Sequence, residues 1–288
     1  MVRPRAGRPR GSAAVGLAAG AVCALVLALT GCGRSSGTGI QLAAAAPGDR
    51  LAAVPGVAGS TFTLMQMNLC LSGIASCYRK VAYPAALEEA VSRIAQTHPD
   101  AVTFNEACGD DVALIARRTG YHVRFSSVIY GGGPLRCIRP GGRGFFGDGV
   151  LTWAPIKSSS SHAFRAQTDI ERRQWLCVTT QREIDVCTAH LSQRIPVEVA
   201  ANDVQCTELA ALLARRAAVR TVIFGGDLNR SSPCAPRDFW TRTDVSAHQD
   251  PGLQQVYGTS ALRAPSAEVI AARRTDHDIL LVRAQLTR

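Results

Sequence analysis

The chain has 288 residues, of which 47% are apolar, so it can bury a sizeable core. Its formal charge is +10, yet Lys80 and Lys157 are the only lysines, and four of the arginines lie in the first ten residues. Composition therefore neither requires nor excludes a nucleic-acid partner. Beyond the N-terminal region no segment is long and apolar enough to cross a bilayer.

The N-terminus has the parts of an export signal. A basic stretch precedes an apolar run from Ala13 to Leu29, and the run ends in Leu29-Thr30-Gly31-Cys32. Residues 1–32 are therefore predicted to be a signal peptide, and their ending resembles the lipobox of bacterial lipoproteins, in which the cysteine is acylated. Cys32 is then the expected lipidation site of an exported protein anchored at the cell surface. The alternatives are a plain signal peptide, which leaves a secreted protein, and a short membrane anchor.

The rest of the chain divides once. Residues 33–59 are rich in Gly, Ala, Ser and Pro and show no sustained period, so we predict a flexible tether. Residues 60–288 contain no repeat and no second linker, and we predict one domain there.

Short strand-like runs dominate this domain. Apolar residues at helical spacing predict helices over 85–96 and 197–214, each after a proline. The strands predicted between 174 and 190 are too close for a helical crossover, so an α/β (α+β) fold with mixed or antiparallel sheets is expected. Eight runs are predicted as strands: TFTLMQMNL, DAVTFNE, YHVRFSSVIY, DGVLTWA, WLCVTT, EIDVCTAHL, TVIFGGDLN and DILLVRAQL.

Export permits disulfides. Beyond Cys23 and Cys32 there are eight cysteines, and the absence of a C-x-x-C pair argues against a zinc site. A hairpin with its turn near 181–183 places Cys177 opposite Cys187, which predicts a disulfide. A bond between Cys70 and Cys77 would close a short loop. The sequence leaves open how the remaining four pair, or whether some are buried free thiols: Cys108, Cys137, Cys206 and Cys234.

Polar residues interrupt apolar strands at their C-terminal ends. Carboxylate and amide oxygens of this kind suit Mg²⁺ or Ca²⁺, and two separate histidines offer a general base and a hydrogen-bond donor. Each residue also has a purely structural explanation, as a turn residue, a helix N-terminal acid, a buried hydrogen bonder or a solvated corner. Structural roles explain single residues well, but they do not explain why eight such residues follow strand after strand along the chain: Asn68, Glu106, His190, Asp227, Asn229, Asp276, His277 and Asp278.

Four of these stretches resemble motifs of the endonuclease/exonuclease/phosphatase (deoxyribonuclease I-like) superfamily. FNEAC is similar to its Gln-Glu strand, TAHLS to its His strand, GGDLN to its Gly-Asp-Phe-Asn motif and TDHDILLV to its C-terminal Ser-Asp-His strand, in family order. The resemblance covers about Phe62 to Leu286. It implies a four-layer sandwich, in which two packed mixed β-sheets are flanked by helices and the site lies at one rim.

The resemblance also implies residue roles. Glu106 would hold a divalent metal, Mg²⁺ with Mn²⁺ or Ca²⁺ as alternatives, and Asn68 would lie beside it. Asp227 and His277 would position or activate the attacking water. Asn229 would orient the phosphate, and His190 would donate a hydrogen bond to it. Asp276 would support His277.

Arg172 and Arg173 precede an inner strand and are candidates for contact with phosphate oxygens; two solvated arginines are the alternative. Asp148 stands where the family has an Asn in a Gly-Asn-Ala turn, and no role is assigned to it.

The sequence departs from the family at one further point. Gln255 falls where the family has an Asp that pairs with the final His. A Gln orients an imidazole but does not stabilise an imidazolium. Either catalysis is weaker, or another carboxylate substitutes: Asp244, Asp250 or Asp278.

The resemblance implies a metal-dependent phosphodiesterase, the export signal implies an extracellular location, and we expect a monomeric nuclease. A hydrolase of lipid phosphodiesters, similar to sphingomyelinase, or of other small phosphodiesters is the alternative on the same fold, and the membrane tether favours the lipid. The Gly- and Arg-rich loop 130–146 favours phosphate contact in general and does not separate DNA from a lipid headgroup. A surface binding module that has lost the chemistry is the alternative of a different class. The expected partners are thus a phosphodiester, in nucleic acid or phospholipid, and the membrane that holds the N-terminal lipid anchor.

Overall fold

Strands outnumber helices in a computed structural model of the protein that describes residues 59–74, 83–168 and 170–287. Within these ranges the helices are α1 (Ala85–Thr97), α2 (Gly109–Thr119) and α3 (Val199–Ala217). The strands are, in chain order, β1 (Thr61–Asn68), β2 (Ala101–Cys108), β3 (His122–Ser127), β4 (Ile129–Tyr130), β5 (Gly133–Pro134), β6 (Phe146–Thr152), β7 (Ile156–Ala163), β8 (Glu171–Arg172), β9 (Gln174–Thr180), β10 (Ile184–Ala189), β11 (Thr221–Asp227), β12 (Trp240–Thr243), β13 (Gln254–Gly258), β14 (Leu262–Ile270) and β15 (Ile279–Leu286).

Twelve strands form two six-stranded sheets. The first has the order β14-β15-β1-β2-β6-β3, and the second has the order β12-β13-β11-β10-β9-β7. Each sheet contains one parallel pair, β1 with β2 and β10 with β11, among antiparallel neighbours. A small third sheet has the order β5-β4-β8.

Three apolar clusters separate the layers. One lies between the first sheet and helices α1 and α2, the second lies between the two sheets, and the third lies between the second sheet and α3. The central strands β6, β10 and β11 are buried along nearly their whole length, so they show no alternation of buried and exposed residues. The edge strands β3, β7 and β14 are partly exposed. The predicted four-layer sandwich of mixed sheets is confirmed.

Glycines bring the two sheets close together. A Cβ on Gly225 of β11 would lie 2.5 Å from Thr103 Oγ1 and 2.9 Å from Leu64 Cδ2, both in the first sheet. Real Cβ atoms do not approach other atoms so closely, so any larger residue here would push the sheets apart.

Seven of the eight predicted strands are present as single strands, and so are helices α1 and α3. The strand predicted over 121–130 divides into β3 and β4, which belong to different sheets. Helix α3 starts at Val199, two residues later than predicted. Helix α2 was not predicted, although its ends carry the usual signals: acids in the first turn, arginines in the last turn and Gly120 in the left-handed conformation at its C-cap. It was missed because it is short and starts directly after β2. No helix in the described part of the chain is long and apolar enough to span a membrane.

Three disulfides join described residues. Cys177 and Cys187 are bonded across the β9–β10 hairpin, as predicted. The structure also answers the pairing that the sequence left open, with bonds Cys108–Cys137 and Cys206–Cys234. The predicted Cys70–Cys77 bond cannot be followed because Cys77 lies outside the described residues, as do Cys32, residues 1–32 and residues 33–58.

Candidate active site

The two parallel strand pairs end at the same rim of the sandwich. Asn68 ends β1 and Asp227 ends β11, and the amide nitrogen of Asn68 lies 2.9 Å from Asp227 Oδ2 across the two sheets. Residues that follow parallel strands therefore converge at one edge of each sheet and, through sheet packing, at one site.

Glu106 stands at a bulge near the C-terminal end of β2. The pairing with β6 shifts register between Phe104 and Ala107, so that Asn105 and Glu106 together face Asp148. Glu106 has φ 53°, a left-handed conformation that costs a non-glycine residue roughly 1–3 kcal/mol. Bulges re-aim side chains. Here the bulge directs the Glu106 carboxylate to the rim, within 3.8 Å of the His190 ring.

The environment of Glu106 is unusual for a carboxylate. Its Oε2 atom is buried and has no hydrogen-bond partner, while Oε1 accepts a weak bond of 3.4 Å from Asn68. Burial raises the pKa of Glu106 to about 7, against the opposing positive charge of Arg173. Such a group is stabilised by a cation, which would satisfy Oε2.

Asn68 reaches the site with its amide nitrogen rather than its oxygen. Its Oδ1 accepts a hydrogen bond from the backbone N–H of Cys70 at 3.1 Å, which fixes the orientation of the amide. Nδ2 then faces the carboxylates of Asp227 and Glu106. In this orientation Asn68 holds the two carboxylates in position and turns no oxygen towards them; its role as a metal ligand stays a prediction.

Asp227 and His277 form a buried ion pair. His277 Nε2 lies 3.3 Å from Asp227 Oδ2, and Nδ1 lies 3.0 Å from Asp276 Oδ1. Burial opposes charge on the ring, but hydrogen bonds to Asp227 and Asp276 outweigh it and raise the pKa of His277 to about 11. Burial likewise opposes charge on Asp227, yet the His277 hydrogen bond and both histidines hold the pKa of Asp227 below its usual range. At neutral pH the pair is imidazolium and carboxylate.

His190 lies beside this pair as a neutral ring. Asn229 Nδ2 lies 2.9 Å from both the Leu191 carbonyl oxygen and His190 Nε2. The carbonyl only accepts, so the Asn229 amide donates to both, and Nε2 is an acceptor. Burial and the charge of Arg173 lower the pKa of His190 to about 3, which agrees with this tautomer. Asn229 thus orients His190.

The two candidate arginines have different surroundings. Arg172 is exposed on β8, in the small third sheet. Arg173 is buried and lies 3.1 Å from Glu171, and its Nη1 atom is buried without a partner. Its charge lowers the pKa values of both Glu106 and His190. Phosphate contact stays a prediction for both arginines, and Arg173 is the one whose charge acts on the site.

Gln255 does not face His277. Its Nε2 donates to the Arg230 carbonyl oxygen at 2.6 Å, and its oxygen accepts from the Tyr257 hydroxyl. The side chain therefore lies on the outer, α3-side face of β13. The expectation that Gln255 takes the place of a carboxylate partner of His277 is wrong, because the strand turns this residue away from the site.

Asp276 occupies the position of such a partner. Asp244 accepts from Gln254, and Asp278 accepts from the backbone N–H groups of Ala272 and His248, so both brace loops. Asp250 is closer, at 4.0 Å from His277 Nε2, and forms with Asp276 and His277 a cluster whose ligand atoms lie within 4.8 Å of one another.

A buried polar layer beneath the site was not predicted. Asn105 accepts from the Asp227 backbone N–H at 2.7 Å and from Gln66 at 2.8 Å, and donates to Asp148 at 2.8 Å. Gln66 also donates to Gln254 of the second sheet. The available signal was a set of amides inside otherwise apolar strands, which need buried partners. Burial raises the pKa of Asp148 to about 7.

Comparison with known proteins identifies the fold family. The sequence profile of the Endonuclease/Exonuclease/phosphatase family matches residues 74–277. The chain belongs to this family.

Solved structures of the endonuclease/exonuclease/phosphatase family share this fold. A family member from Beutenbergia cavernae DSM 12333 is 18% identical, with a TM-score of 0.57 over 78% of this chain and 72% of that one. The human nocturnin catalytic domain with a bound sulfate anion is 14% identical, with a TM-score of 0.58 over 79% and 94%. TDP2 from D. rerio, complexed with a single-strand DNA product, is 14% identical, with a TM-score of 0.52 over 78% and 99%. No curated protein matches the sequence.

Family membership gives a coarse function. Endonuclease/exonuclease/phosphatase proteins are typically hydrolases of phosphodiester bonds and generally use divalent metals. The residues here fit such an ion, because the unpartnered Oε2 of Glu106 is a hard oxygen donor that lacks a counter-charge.

Proposed function

We propose that the protein is an exported, divalent-metal-dependent phosphodiesterase. One observation carries the proposal: Glu106, Asp227, His277 and His190 meet at one rim, with distances of 3.3 to 3.9 Å between their charged or ring atoms. Two carboxylates, one imidazolium and one neutral imidazole at this spacing match the needs of phosphodiester hydrolysis, which places charge on the attacking, non-bridging and leaving oxygens.

In the proposed reaction Asp227 positions the attacking water. The pKa of its carboxyl is held low, so it is ionised at neutral pH and can accept a hydrogen bond from water. His277 is an imidazolium between Asp227 and Asp276, and it therefore supplies positive charge and a proton rather than removing one.

His190 and Arg173 address the phosphate. His190 Nε2 accepts from Asn229 in the free protein, and an arriving phosphate anion favours protonation of the ring, which then donates. Arg173 Nη1 is a buried donor without a partner beside these groups. Its first partner is, in this proposal, a non-bridging phosphate oxygen.

Glu106 would hold the divalent metal, Mg²⁺ in the first instance and Mn²⁺ or Ca²⁺ as alternatives, and Asp276 with Asp250 offers further carboxylate oxygens nearby. When bound, the ion supplies a counter-charge for the phosphate oxygens. Asn68 keeps the Glu106 and Asp227 carboxylates in place.

Two substrate classes compete. A nucleic acid is supported by the structural similarity to TDP2 from D. rerio, which was solved in complex with a single-strand DNA product. A phospholipid is supported by the exposed aliphatic side chains around the site, such as Val197 at 84% exposure. A binding module without chemistry is opposed by the ion pair of Asp227 and His277, which binding alone does not require.

The test offers both substrates. Purified protein is incubated with plasmid DNA, phospholipid vesicles and bis(p-nitrophenyl) phosphate, with Mg²⁺, Mn²⁺, Ca²⁺ or chelator. Turnover should need the metal and should fall by about 10²-fold or more in Asp227→Ala and His190→Ala. Asp238→Ala and His162→Ala, at exposed positions, are the matched controls. No turnover with any ion, or full activity in the site variants, contradicts the proposal.

A further inference from the structure

Exposed apolar side chains are concentrated around the site. Among the described residues, two large exposed ones lie at the far end of the sandwich, Trp153 and Val219. The others lie at the end that carries the site: Ile74, Tyr130, Ile138, Phe145, Ile170, Ile195, Val197, Val204 and Val245. Solubility alone would distribute such residues evenly over the surface.

Strand direction places them at that end. Ile195 and Val197 follow β10, which ends at the site. Val245 follows β12, whose last residue, Thr243, pairs with Gln255 of β13 next to the C-terminal end of β11. Trp153 follows β6, which runs antiparallel to β2 and so ends at the opposite edge. Val219 precedes β11 and lies at that opposite edge too.

One side of this rim is a single projecting segment. Residues 128–146 run through β4 and β5, and the bond Cys137–Cys108 fixes the segment to the end of β2. Gly131 N–H donates to the Ile170 carbonyl at 2.8 Å, so Tyr130 and Ile170 are neighbours. Ile138 N–H donates to the Ser72 carbonyl at 2.8 Å, which brings Ile138 near Ile74.

This segment is also cationic. It contains three arginines and no acid. Arg143 is buried against Asp111, while Arg136 and Arg139 are exposed. Arg136 stacks over the Phe145 ring at 5.1 Å, so that an apolar side chain and a cation project together.

The chemistry of the rim favours lipid over nucleic acid. Seven of the nine rim residues named above are Ile or Val, which offer no ring on which a base can stack. Aliphatic side chains beside arginines are the composition of surfaces that insert into the boundary of anionic bilayers.

We propose that this rim, formed by segment 128–146 and by the side chains of Ile74, Ile170, Ile195, Val197 and Val245, docks on an anionic phospholipid bilayer. The aliphatic side chains enter the acyl boundary, and Arg136 and Arg139 meet the phosphate groups. The active site then faces the membrane. The further statement that the scissile phosphodiester belongs to a lipid rests on the proposed function; the docking itself does not.

Tryptophans added one at a time test the docking, and their emission is measured against that of the three native tryptophans. In the full-length chain, Val197→Trp and Val245→Trp place a reporter on the rim, and Val219→Trp is the matched control, since Val219 and Val245 are 72% and 73% exposed. Vesicles contain zwitterionic and anionic phospholipid with a brominated acyl chain. The rim reporters should show blue-shifted, quenched emission relative to the unsubstituted chain, and the control should not. An anchor at the N-terminus does not produce this difference between positions.

A second variant measures the contribution of the apolar side chains. Ile195→Ser with Val197→Ser should weaken vesicle partitioning by about tenfold or more, whereas Trp153→Ser with Val219→Ser should leave it unchanged. Equal quenching of all reporters, no quenching of any, or a response of the rim reporters to single-stranded DNA but not to vesicles overturns the proposal. None of these readouts depends on phosphodiester hydrolysis, so failure of docking is separable from failure of the proposed function.

Discussion

Arg173→Gln is the most direct test of how the site handles phosphate. The guanidinium is buried, its Nη2 atom lies 3.1 Å from Glu171, and its Nη1 atom has no partner. Removing it takes away a preorganised donor and the positive charge that acts on Glu106 and His190. Arg172→Gln is the matched control, because the neighbouring arginine has the same charge but is exposed on β8.

The expected magnitude follows from the burial of the donor. Loss of one preorganised donor to a developing oxyanion costs ~10²–10³ in rate, so kcat/KM should fall by about that factor in Arg173→Gln and by less than about threefold in Arg172→Gln. The free energy of unfolding should also fall, by about 1–3 kcal/mol, because Glu171 and Glu106 lose the positive charge that faces them; rates are therefore compared at equal amounts of folded protein.

The assay combines kinetics and unfolding. Initial rates on bis(p-nitrophenyl) phosphate with Mg²⁺ give kcat/KM, and urea unfolding of the same preparations gives the free energy of unfolding. The reasoning is refuted if Arg173→Gln keeps its activity within a few-fold of the unsubstituted protein. It is equally refuted if activity falls only in proportion to a loss of folded protein, since the residue would then be structural.

Three further outcomes are expected. Gln255→Asp should lower the free energy of unfolding by about 1–3 kcal/mol without raising kcat, because a buried carboxylate would face carbonyl oxygens rather than His277; a gain in kcat would contradict the observed orientation. Gly225→Ala should destabilise by about 1–3 kcal/mol in urea unfolding, because its Cβ would lie 2.5 Å from Thr103 Oγ1; an unchanged midpoint would show that the sheets can separate freely. His190 has a folded-state pKa of about 3, below its ordinary value of 6.5, so the unfolded chain binds the extra proton and stability should fall as pH drops from 6.5 towards 3, by up to about 1.4 kcal/mol per pH unit. His190→Gln should remove that slope, and parallel pH profiles of the two proteins would refute it.

Sequence reasoning placed the site because strand ends are visible in sequence. A polar residue directly after a buried run, such as Asp227 or His190, must lie at the rim of the sheet where the strands end. The family motifs gave the order of these residues. Cys177 and Cys187 were paired for a similar reason, since a hairpin register is local. The pairs Cys108–Cys137 and Cys206–Cys234 depend on how distant loops pack, which no local pattern records.

Orientation was harder to predict than position. Whether Asn68 offers oxygen or nitrogen depends on one backbone N–H two residues later. Whether Gln255 faces inwards depends on the register of β13, because a shift of one residue moves a side chain to the other face. Neighbouring Arg172 and Arg173 differ for a related reason, since β8 ends between them.

Asn105 links the two sheets through the backbone of Asp227, the residue proposed to position the attacking water. It belongs to the first sheet, yet it accepts the Asp227 N–H of the second at 2.7 Å. The spacing between Glu106 and Asp227 is therefore set by sheet docking and not by a mobile loop. Loss of activity in denaturant should then coincide with global unfolding rather than precede it, so a rate measurement on this protein also reports whether its two halves remain assembled.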